Sequence, residues 1–118
     1  MITILVVDDE PLIRSVVVDL LRDEGYAVVT ADDGHAALEM VQQEAPSLVL
    51  MDVMMPRMDG RAAFRAMRAH GHGDDPPVIL MSAMAEPADL DPEITAFLRK
   101  PLDLDQLLAL VARLLTNT

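Results

Sequence analysis

Runs rich in Val, Ile and Leu recur along this chain. Each is followed by a segment whose apolar residues return every three or four positions, and that alternation limits the fold more than any other feature. Short continuous apolar runs mark strands buried on both faces, and strands joined by helical crossovers run parallel. Strands are expected at Ile2 to Val7, Ala27 to Ala31, Ser47 to Met51, Pro77 to Met81 and Thr95 to Arg99. Between them, Glu10 to Glu24 places Ile13, Val16, Val17, Leu20 and Leu21 on one helical face, with Pro11 suited to a first turn and Gly25 to a stop. Gly34 to Glu44 follows an Asp that can cap it and turns Ala37, Met40 and Val41 inward. Gly60 to His70 groups Ala63, Phe64 and Met67, and Leu104 to Leu115 carries Leu104, Leu107, Leu108, Val111, Leu114 and Leu115 as a core stripe. The pattern predicts one α/β domain, residues 1–118, with helices on both faces of a parallel sheet.

The broad class follows from composition. With 118 residues, 52% of them hydrophobic, the chain can bury a sizeable core, yet no apolar run approaches the roughly 18 residues of a membrane span. "MITILVVDDE" has no basic leader, and the absence of cysteine excludes a disulfide scaffold, a thiolate zinc site and thiol catalysis. A cytoplasmic address is expected. The net charge of −11 argues against this domain gripping nucleic acid or an anionic membrane, because phosphates repel such a surface. It suits a cation.

In an open parallel sheet with right-handed crossovers, the carboxyl ends of the strands share one edge, and ligands bind there. The residues expected at that edge are Asp8 and Asp9 after strand one, Asp52 after strand three, Ser82 after strand four, and Lys100 with Pro101 after strand five. Taken singly, "DDE" is an ordinary helix start and Ser82 and Lys100 are ordinary loop residues. Asp52, closing the buried run "LVLMD", is costly there without a partner. Together they form a chemical set. Three close carboxylates repel unless a divalent cation joins them, and an all-oxygen set suits Mg²⁺, with Mn²⁺ as a substitute. Asp52 could then attack a phosphoryl group while Lys100 and the Ser82 hydroxyl meet its oxygens. His70, His72, Asp74 and Asp75 resemble metal ligands but precede strand four, so they belong at the opposite edge.

The motifs "ILVVDDEP" (residues 4–11), "LVLMDVMMPRMDG" (48–60), "VILMSA" (78–83) and "FLRKP" (97–101) stand in the order and near the spacing of a known family. The whole chain resembles a response-regulator receiver domain of two-component signalling, similar to chemotaxis receivers. That resemblance implies a flavodoxin-like, doubly wound sheet of five parallel strands in the order 2-1-3-4-5. It implies Asp52 as the phosphoacceptor, Asp9 as a direct Mg²⁺ ligand, Asp8 as an acid acting mostly through water, and the Met54 carbonyl as a further ligand. It makes Ser82 the switch hydroxyl, Phe97 the switch aromatic, Lys100 the phosphate-pairing lysine, and Lys100-Pro101 a cis peptide. The implied phosphoryl donor is a histidine on a sensor histidine kinase or a phosphotransfer protein, with self-catalysed phosphorylation and a downstream protein partner.

Two departures bear on the output face. Ser82 replaces the commoner threonine, keeping the hydroxyl and dropping a methyl. The span from Ser82 to Lys100 is about one helical turn shorter than the family norm and contains Pro87 and Pro92. The segment from Ala83 to Ile94 is therefore expected to form a single turn or an irregular loop where the family places a fourth helix, exposing Phe97 and the last helix and leaving the chain a monomer or a weak dimer. Met54 and Met84, two residues beyond Asp52 and Ser82, are expected to line the mouth of the site. The competing reading is an aspartyl-phosphate phosphatase or phosphotransferase of the haloacid-dehalogenase kind, which wants a second acid two residues after its nucleophile. Met54 stands there.

Overall fold

The computed structural model describes residues 1–71 and 75–116. In chain order the elements are β1 (Thr3–Val7), α1 (Pro11–Asp23), β2 (Ala27–Ala31), α2 (Gly34–Glu44), β3 (Leu48–Asp52), α3 (Gly60–His70), β4 (Val78–Ser82), β5 (Ala96–Arg99) and α4 (Leu104–Thr116). All strand pairs are parallel, and the sheet runs β2-β1-β3-β4-β5. The expected sheet order and the four expected helices are thus present, with strand ends moved by one residue.

Alternate residues of each strand feed two cores. Ile4, Val6, Leu48, Leu50, Ile79 and Met81 pack under α1 and α4 with Val17, Leu21, Leu107 and Val111. Leu5, Val7, Val49, Met51, Val78 and Leu80 pack under α2 and α3 with Ala37, Ala63, Phe64 and Met67. Both faces being covered explains why the strands read as continuous apolar runs rather than alternating ones. Each fully buried large side chain contributes roughly 1.5–3 kcal/mol by leaving water.

Two expected core positions sit differently. In α1, Val18 is buried and Val16 is 52% exposed. The triplet Val16-Val17-Val18 leaves the helical phase open, and contact with the sheet selects Val17, Val18 and Leu21. Leu104 begins α4 and is 37% exposed, and burial in that helix starts at Leu107.

Between β4 and β5 there is no helix; residues 83–95 form turns, as the prolines and the short span predict. The Leu90 amide donates to Pro87 O at 3.3 Å and the Ile94 amide to Asp91 O at 3.1 Å. Ile94 is buried against the α3 face, and Leu90 packs beside it. Arg61 of α3 reaches the Asp89 carbonyl oxygen and carboxylate, both at 3.2 Å, while Arg68 lies 3.5 Å from Glu93. An apolar anchor and arginine staples hold the loop where a helix would otherwise pack. Phe97 on β5 is only partly buried, in line with a thinner cover on this side.

Candidate functional site at the carboxyl edge of the sheet

Strand order reverses between β1 and β3, so the crevice of a doubly wound sheet opens where those strands end. Asp52 is the last residue of β3, 4% exposed, and Asp8 follows β1 with no exposure. Two carboxylates in so dry a place need partners. Lys100, just past β5, supplies one for both: its Nζ donates to Asp8 Oδ2 at 2.9 Å and lies 3.3 Å from Asp52 Oδ2. The Glu10 amide donates to Asp8 Oδ1 at 2.9 Å, and the Met54 amide donates to Asp52 Oδ1 at 3.4 Å. Arg14, one turn into α1, donates to the Asp8 carbonyl oxygen at 2.8 Å and ties that turn to the helix.

The electrostatics follow from this crowding. Burial pushes the Asp52 carboxyl above the usual range, opposed by the Lys100 charge and reinforced by the Asp8 charge. Burial works to lower the Lys100 ammonium, but its hydrogen bond to Asp8 and the charge of Asp52 outweigh that, and the net displacement is upward. One ammonium thus stands between two acids, holding a site that is short of positive charge.

A third acid joins them. Carboxylate oxygens of Asp8, Glu10 and Asp52 lie within 4.8 Å of one another, the one such acid cluster of metal-binding size among the described residues. Glu10 was not singled out by sequence, because as the residue before Pro11 it reads as a helix entry. Its side chain makes no capping hydrogen bond, which leaves the carboxylate free to face Asp8 and Asp52. Asp9 is exposed and its carboxylate lies outside this group. An all-oxygen donor set of acids with one open side fits a hard divalent cation such as Mg²⁺.

The remaining candidates ring the same edge. Ser82 ends β4, 2% exposed, with its Oγ accepting from the Met84 amide at 3.0 Å. The Lys100 amide donates to the Ser82 carbonyl oxygen at 2.7 Å, continuing the β4–β5 pairing one residue past Arg99, and Lys100-Pro101 is cis. Phe97 lies on β5 opposite Leu80. Met54 and Met84 are 61% and 64% exposed. His70 is exposed on α3, with Nδ1 2.8 Å from Ala66 O, and Asp75 pairs with Arg68 at 3.3 Å; His72 and Asp74 lie outside the described residues.

The turn after β3 is packed tightly enough to require glycine. A Cβ on Gly60 would stand 2.3 Å from the Asp52 carbonyl oxygen, and the Gly60 amide donates to Val53 O at 2.8 Å. Residues 4–112 match the family model described as response regulator receiver domain. The chain belongs to that receiver domain family. The receiver is 39% identical over 121 residues to the response regulator MprA of Mycobacterium tuberculosis, covering 99% of this chain and 52% of that protein. It spans about half the length of the curated relatives it matches. The chemotaxis protein CheY4 of Vibrio cholerae superposes with a TM-score of 0.86 at 32% identity, covering 97% of this receiver and 98% of CheY4. The response regulator TrrA of Thermotoga maritima, in complex with Mg²⁺-BeF, gives 0.87 at 33% identity, covering 97% and 99%. No helix among the described residues of the receiver is long and apolar enough to cross a membrane.

Proposed function

We propose that this receiver is a phosphorylation-controlled switch in which Asp52 takes a phosphoryl group from a histidine of a sensor kinase or phosphotransfer protein. The observation that carries the reading is the buried Asp52 carboxylate, flanked by Asp8 and Glu10 and 3.3 Å from Lys100. An Asp52 oxygen attacks phosphorus, the P–N bond to the donor imidazole breaks, and its electron pair stays with the imidazole. Lys100 exchanges a carboxylate partner for a phosphoryl oxygen, and the Ser82 hydroxyl donates to another. Phe97, on the thinly covered strand, follows Ser82 inward and alters the face offered to a downstream protein. Asp8, Glu10 and Asp52, whose carboxylates already converge, would hold Mg²⁺ with the Met54 carbonyl, and Asp9 would join as a direct ligand only by turning in from solvent; the ion would supply the positive charge that lets an anion approach three acids. That TrrA, 33% identical, forms a complex with Mg²⁺-BeF supports a magnesium site in this receiver. An exposed methionine two residues beyond Asp52, where a dehalogenase-type enzyme wants an acid, disfavours turnover of external substrates.

Intact-mass measurement tests this. With Mg²⁺ and a small acyl phosphate the wild type gains one phosphoryl group, and chelation of the metal or Asp52→Asn abolishes the gain. An Asp52→Asn protein labelled as fast as wild type would overturn the assignment.

A further inference from the structure

The loop between β3 and α3 carries a feature that the family motifs do not account for. Arg57 has φ +67°, and the Met58 amide donates back to the Pro56 carbonyl oxygen at 2.7 Å, making a three-residue turn centred on Arg57. Such turns are rare and strained, and a non-glycine residue at positive φ persists only where its surroundings hold it. The holding group is on another element. Arg57 Nη2 donates to Asp33 Oδ2, while Asp33 Oδ1 accepts from the Ala36 amide at 2.8 Å and so caps α2. The Asp33 side chain is 11% exposed, and its charged partner is Arg57, whose own side chain lies mostly in solvent. The Ala36 hydrogen bond and then that to Arg57 hold the Asp33 carboxyl below its usual range. The contact continues beneath the pair, where a Cβ on Gly34 would lie 2.8 Å from both the carbonyl oxygen and Cγ of Met58.

The segment from Asp52 to Gly60 is therefore pinned at its two ends by Asp52 itself and in the middle by the turn before α2. We propose that the Asp33–Arg57 pair is a positioning latch: Arg57 holds the loop so that the backbone of Val53 and Met54 keeps its place beside Asp52. An ordinary exposed ion pair contributes little. Here one oxygen of a buried carboxylate depends on Arg57, and the loop so held carries the Met54 amide that donates to Asp52. Arg57 touches no reacting atom, and the inference rests on Asp52 being the phosphoacceptor.

Four variants of the full chain separate positioning from plain stability, three single ones and the Arg57→Gly/Asp33→Asn double variant. Arg57→Gly relieves the positive φ and removes the pair, Asp33→Asn keeps the cap but removes the charge, and Arg57→Lys keeps the charge. With a small acyl phosphate at subsaturating Mg²⁺, Arg57→Gly and Asp33→Asn should each label Asp52 roughly tenfold more slowly, as misplacement of a positioned group does. Arg57→Gly should melt no lower than wild type, the double variant should be no slower than the slower single one, and Arg57→Lys should recover most of the rate. Wild-type labelling rates in both single variants, or losses that multiply in the double variant, would overturn the latch alone. An unlabelled wild type would overturn the proposed function, and the latch with it.

Discussion

At the scale of single residues, two positions carry sharp expectations. Gly60 accepts no side chain, since its Cβ would collide with the backbone of Asp52 rather than with a movable side chain. Gly60→Ala should cost about 1–3 kcal/mol of stability, the range of overpacking that forces backbone shifts, and denaturant unfolding checks it. Asp52 is a buried charge that works against stability. Its folded-state carboxyl is raised by burial, so ionisation is harder in the folded than in the unfolded chain, and stability is lost as pH rises from the ordinary carboxylate value through the raised one. Asp52→Asn should then melt a few degrees above wild type at pH 7, and the difference should vanish in acid below the usual carboxylate range, where both side chains are neutral. Equal melting at both pH values would show that Lys100 fully compensates the buried charge.

At the scale of elements, the connection from β4 to β5 is the one crossover between strands that carries no helix. Pro92 lacks an amide and biases Asp91 away from helical dihedrals, and the short span leaves no length for a packed helix. Hydrogen exchange should show most amides of residues 83–93 exchanging at the earliest times. Those of Thr95 and Lys100, which donate to Val78 O and Ser82 O, should be protected. A protected block of consecutive amides within residues 83–93 would contradict the loop. Ile94, the buried anchor, is the position where truncation to Ala loosens this strap.

Across the whole molecule, a net charge of −11 makes the compact state self-repelling, most of all where Asp8, Glu10 and Asp52 converge. A cation that binds only the folded state stabilises it in proportion to the logarithm of its excess over the dissociation constant. Millimolar MgCl₂ should raise the melting temperature more than NaCl of matched ionic strength, and Asp8→Asn should shrink that difference. Equal effects of the two salts would mean that general screening, not a site, accounts for the gain.

Much of this was legible in the chain itself. Sequence by itself determined the five strands, the four helices and the strand-end positions of Asp8, Asp52, Ser82 and Lys100, because hydrophobic period and turn residues are local signals. The strand order, and the roles expected of individual residues, came through likeness to a family rather than through period. Tertiary structure alone decided which helical phase α1 buries, with Val18 in and Val16 out, because a run of three valines satisfies several phases until a sheet is laid against it. It also decided that Glu10 faces the acids while Asp9 turns to solvent, and that Arg57 reaches Asp33 across twenty-four positions of sequence. No local pattern encodes such a pair: the two residues meet only because parallel crossovers bring the turns after β2 and β3 to the same edge of the sheet.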